Sequence, residues 1–136
     1  MILEKGEIFF HRDFRFDDGG SARKLLVLLN TPRDRKEPFL FCKTTSNDRK
    51  KNFQVGCQAE KGMFYVPKDT DFFDKNTWLE LYYIAAFDAA SVIEDSFNKF
   101  LTKKGKLKDL TIRQIVNCIR KGKLTEAKYK EMILNS

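Results

Sequence analysis

At 136 residues, with 42% hydrophobic and 13% aromatic side chains, the chain has the length and apolar content of one domain that folds without a metal or disulfide staple, and the disordered class is excluded. No apolar run approaches the roughly 18 residues of a bilayer-spanning helix, and Met1-Ile2-Leu3-Glu4-Lys5-Gly6 lacks a basic region followed by an apolar stretch, so neither a membrane span nor a signal peptide is expected. Lys and Arg outnumber Asp and Glu by 26 to 19, and the resulting charge of +7 favours a polyanionic partner, either a nucleic acid or an acidic protein segment.

Residues 6–16 alternate Phe14 and Phe16 with Asp13 and Arg15, as a half-buried first strand requires. Asp17-Asp18-Gly19-Gly20-Ser21 is a run of turn formers that reverses the chain into Lys24-Leu25-Leu26-Val27-Leu28-Leu29. That run has strand length and no polar alternation, which predicts a strand buried on both faces. Residues 30–37 form a polar connection to a third strand over 39–45, rich in aromatic and β-branched residues. Residues 46–52 read as a solvated basic loop, residues 62–67 and 77–84 as two more strands, and 68–76 as a turn-prone segment between them.

After Asp88, a good helix N-cap, the period changes. Ala89, Ile93, Phe97, Phe100 and Leu101 recur at helical spacing, and Lys103-Lys104-Gly105 reads as the stop. A second helix is predicted from Thr111, with Gln114 at capping-box spacing, to Gly122, and a short third over 125–134 with Tyr129, Met132 and Ile133 on its apolar side. The expected organisation is one domain over 1–136, β-rich over 1–87 and helical over 88–136. Its fold class is α+β: a small SH3-like β-barrel or twisted antiparallel sheet followed by C-terminal helices. Cys42, Cys57 and Cys118 are odd in number and widely spaced, which suits reduced thiols in the cytoplasm better than a disulfide framework. One His and scattered Cys give no metal-ligand spacing, so neither a metal nor another cofactor is expected.

Leu3-Glu4-Lys5-Gly6-Glu7-Ile8-Phe9, an acidic glycine-rich loop, Ser21-Ala22-Arg23-Lys24-Leu25-Leu26-Val27-Leu28 and a strand ending Thr44-Thr45-Ser46 resemble the MazF/PemK family of toxin-antitoxin ribonuclease toxins. The likeness covers roughly the first 46 residues. Lys24 stands where the family has Pro, and the later strand over 78–82 lacks the family's Arg, leaving Glu80 as its acid. The resemblance implies a dimeric SH3-like barrel that cleaves single-stranded RNA without a metal and is held in check by an acidic antitoxin. Trp78 and Tyr82 are compatible with a homodimer interface.

Cleavage through the 2′-hydroxyl needs a base, an acid and a phosphate clamp. Arg23 is the candidate clamp, with Thr45 and Ser46 as hydroxyl donors to phosphate. His11, whose unperturbed pKa lies near neutrality, and Glu80 are the candidate proton-transfer groups. Lys24, Lys43, Arg49, Lys50 and Lys51 supply the path for the RNA, with Phe53 or Tyr65 available for base stacking. The alternatives are a non-enzymatic module binding nucleic acid or protein on the same scaffold, favoured by the missing Arg, and a gyrase-directed toxin acting through its C-terminal helices.

Overall fold

Strand alternation distributes this chain's apolar residues to two opposite faces, and both faces are covered. The computed structural model describes residues 3–16, 18–46 and 54–136. Among these residues, the strands are β1 (Glu7–Arg15), β2 (Ser21–Leu28), β3 (Phe39–Thr45), β4 (Gly56–Gln58), β5 (Met63–Val66), β6 (Thr77–Phe87) and β7 (Leu101–Lys106). They form one antiparallel sheet in the order β4-β5-β6-β3-β2-β1-β7. The helices are α1 (Ala89–Phe97), α2 (Asp109–Lys121) and α3 (Ala127–Leu134). The architecture is α+β, and the sheet stays open with β4 and β7 at its edges, so of the two expected forms the twisted sheet is present and the closed barrel is not.

One core takes Ile8, Val27, Leu40 and Cys42 from the sheet and Ile115, Ile119 and Ile133 from α2 and α3. The other takes Phe9, Leu26, Leu28 and Phe41, with Val92 of α1 and Leu101 of β7. Successive residues of β2 serve opposite cores, which is why its sequence is apolar without alternation. The β1–β2 hairpin closes where expected, with Phe16 N–H donating to Gly20 O at 2.8 Å. At Gly6 the backbone has φ +92°, and a Cβ there would come within 2.1 Å of Ile112 Cδ1, so α2 packs directly on this glycine.

Three expectations are corrected. The region 88–136 is not purely helical: α1 stops at Phe97, and Lys103, Lys104 and Gly105, read as a helix stop, lie inside edge strand β7. Ile93 and Phe97 accordingly face outward, 61% and 85% exposed, while Leu101 reaches the core from the strand. Thr111 is not the α2 N-cap; Lys108 occupies that position without a side-chain cap. Asp71 supplies the acceptor from another segment, receiving hydrogen bonds from Lys108 N–H (3.1 Å) and the Thr111 hydroxyl (2.6 Å). Finally, Cys57 and Cys118 are joined as a disulfide between β4 and α2, leaving Cys42 as the free, buried thiol. The thiol argument for a reducing compartment therefore lapses. Trp78 is buried at 4%, and Tyr82 is exposed. No helix is long and apolar enough to cross a membrane among the described residues.

Candidate functional site

The register Leu26↔Lys43 between β2 and β3, continued outward, sets Lys24 beside Thr45 where β2 begins and β3 ends. A cleft of about 660 Å³ opens there. Lys24, Thr44, Thr45 and Ser46 line its sheet side, Phe72 and Lys75 come from the connection before β6, Thr77 begins β6, and Lys104 comes from β7. Thr44 donates to Leu25 O and Thr77 to Lys75 O. Lys24 Nζ donates to Thr44 O at 3.3 Å, and Lys104 Nζ lies 5.9 Å from the Phe10 ring centroid. Among the described residues none of Lys24, Lys75 and Lys104 forms a salt bridge, so three lysines line the cleft beside a single acidic residue, Asp74.

The connection 67–76 is held as a wall. Asp69 N–H donates to Phe73 O, Lys68 N–H donates to the Asn76 side chain, and the Phe73 ring is sunk in the core. Asp71 ties the wall to the start of α2, and Lys108 Nζ donates back to Thr70 O at 2.9 Å. These bonds carry Lys75 and Phe72 from one end of the fold to Lys104 on the far edge strand.

The expected catalytic residues are not gathered in this cleft. Lys24, Thr45 and Ser46 line it, but Arg23 does not. By strand alternation Arg23 shares a sheet face with Val27 and with Leu25, which does line the cleft, whereas Thr45 shares the opposite face with Lys43 and Phe41. His11 pairs with Lys24 across β1 and β2. It is thus two strand spacings from Thr45, roughly 10 Å. Its ring is buried, Nδ1 accepts from Asp13 N–H at 3.1 Å, Nε2 lies 3.5 Å from Asp95 Oδ2, and Phe14 and Phe87 meet it edge-on. The Nδ1 bond leaves the proton of the neutral ring on Nε2, directed at α1 and away from the lysines. His11 thereby ties the bulged stretch of β1 to α1.

Glu80 is buried and pairs with Lys43 Nζ at 3.1 Å, where four residues of β6, 80–83, bulge opposite Lys43 alone. The Lys43 ammonium also lies over the Phe16 and Tyr83 rings, at 4.9 and 5.1 Å. Burial, and then the charge of Glu80, push the Tyr82 hydroxyl above its ordinary range. Lys43 and Glu80 are thus committed to each other. Arg49, Lys50, Lys51 and Phe53 lie outside the described residues. Tyr65 stacks on Trp78 with centroids 4.7 Å apart. Phe72, Lys75 and Lys104 were not singled out from the sequence: two sit in a turn-rich connection and the third in a strand that carries a helix-stop signature.

A second cleft, of about 670 Å³, lies beside His11 and is lined by Asp13, Asp88 and Asp95 with Tyr83, Phe87 and Phe100. Its carboxylates have structural partners. Asp13 pairs with Arg15 at 3.1 Å, Asp95 faces His11, and Asp88 caps α1 by accepting from Ser91 N–H at 2.7 Å, which holds its carboxyl below the usual range. Among the described residues no group of three His, Cys, Asp or Glu side chains is placed to hold a metal ion. No family model matches the chain, and no curated protein matches it at a significant level.

Proposed function

We propose that this chain is a non-enzymatic module that binds a single-stranded nucleic acid through the cleft at the ends of β2 and β3. The observation that carries this reading is the meeting of Lys24, Lys75 and Lys104 in one cleft with Thr45 and Ser46, without a salt bridge among the described residues to neutralise them. Three ammonium groups beside hydroxyls bind successive phosphates by charge and hydrogen bonding, which is the sequence-independent part of nucleic-acid affinity.

The ribonuclease reading, with its antitoxin partner, has less behind it. A general base must come within about 3 Å of the 2′-hydroxyl. His11 is about 10 Å from Thr45 by strand spacing and has both ring nitrogens occupied. Glu80 is held by Lys43, and Arg23 is not among the residues that line the cleft. The resemblance of the first 46 residues to ribonuclease toxins reaches Lys24, Thr45 and Ser46 of the cleft and not its other side.

Fluorescence anisotropy with a labelled single-stranded RNA tests the proposal. Three phosphate contacts give a slope of about −2 for log K against log salt concentration. The triple variant Lys24→Gln/Lys75→Gln/Lys104→Gln should lose most of the binding and flatten the slope. Equal binding by wild type and triple variant overturns the proposal. New RNA 5′ ends produced by the wild type in the same tubes would restore the ribonuclease reading.

A further inference from the structure

Resting on that reading, we infer that Phe72 is a built base-stacking platform, so that the unit recognised in the cleft is a nucleotide rather than a bare phosphate chain. Phe72 is 38% exposed and shares the cleft with Lys24, Lys75 and Lys104. Aromatic side chains at a surface cost apolar exposure, and this one is also fixed in place. Its ring meets Phe73 edge-on, centroids 5.6 Å apart at 84°, and Phe73 is 3% exposed.

Beneath the ring is Gly105 of β7. A Cβ at Gly105 would sit 2.7 Å from Phe72 Cε2 and 2.9 Å from Cδ2, so the ring rests on strand backbone that only glycine leaves clear. The preceding residue, Asp71, anchors the segment to α2 through Lys108 N–H and Thr111, and Phe72 N–H itself donates to Asp71 Oδ1 at 2.7 Å. The ring therefore loses little freedom when a planar ligand stacks on it.

A nucleotide joins a planar π system to a phosphate, and this cleft joins an immobilised aromatic ring to ammonium groups. Stacking on an aromatic ring works for every base, so the device selects unpaired bases without reading sequence. Duplexes, whose bases are stacked on each other, and polyanions without bases gain only the lysine contacts.

The test compares three probes on the full chain: a labelled octauridylate, an octameric abasic ribose-phosphate and inorganic polyphosphate. Wild type should bind the octauridylate about fivefold to 100-fold more tightly than the abasic chain. In Phe72→Ala and Phe72→Leu the two affinities should converge, and Phe72→Trp should keep the preference. Phe72→Leu retains an apolar side chain, and binding of polyphosphate by each variant reports that the cleft is still folded. A preference for the octauridylate that survives in both Phe72→Ala and Phe72→Leu overturns the inference while leaving the lysine cleft standing. Equal binding of all probes by the wild type and by the triple lysine variant overturns the cleft itself.

Discussion

Reducing the Cys57–Cys118 bridge removes a cross-link between residues 61 apart in sequence, which closes a loop containing β5, β6, α1, β7 and most of α2. Loop-closure entropy for that length is worth about 4 kcal/mol at 25 °C. With a urea slope of about 2 kcal/mol/M, the unfolding midpoint should fall by about 2 M. The measurement is urea unfolding with and without a phosphine reductant, which removes the bond and keeps both sulfur atoms. The double variant Cys57→Ala/Cys118→Ala should show the same loss plus a smaller packing term, because Cys118 is 2% exposed. A thiol assay on unreduced, unfolded protein should find one thiol per chain, Cys42, whose pKa burial pushes far above its ordinary range and which should not react in the native state. Three thiols per chain would refute the bridge. One thiol with a midpoint indifferent to reductant would refute the entropy reasoning.

Two further outcomes follow from local geometry. Gly6→Ala puts a methyl against Ile112 at a positive φ, and a loss of about 3 kcal/mol in urea or thermal unfolding is expected; a neutral effect would mean that α2 does not rest on that backbone. The Asp88 carboxyl is held low by Ser91, so its stabilising contribution is complete above the unfolded carboxyl value of about 3.9 and disappears as pH falls through the lower folded value. The difference in unfolding midpoint between wild type and Asp88→Asn should therefore shrink as pH drops below about 4 and weaken in salt; a difference constant from pH 7 to pH 2 would contradict the cap's charge.

How much of this molecule could be read from residue order depends on how local each feature is. The strand over Phe39–Thr45, the Asp/Gly-rich reversal and the Gly122 end of α2 follow from side-chain period and turn chemistry within a few residues. The continuous apolar β2 likewise announces burial on two faces. Lys24, Thr45 and Ser46 were found together because hydrogen-bonded neighbours β2 and β3 bring the start of one strand to the end of the other.

Strand β7 was missed because it is a lysine-rich edge strand, paired on one side only, whose lysines blunt an open edge and imitate a helix terminus. The disulfide was missed because nothing within 61 residues of sequence says that β4 will lie against α2. The cleft's other half depends on Asp71 reaching α2 and on Gly105 leaving room for Phe72, both contacts between residues more than 30 positions apart. Periodicity and turn residues are written in neighbouring side chains, so β1, β2, β3, β5 and β6 and the first hairpin were legible. Which distant groups share a cavity is settled by packing all the elements at once, and packing alone removed His11, Glu80 and Arg23 from the site and brought Phe72, Lys75 and Lys104 into it.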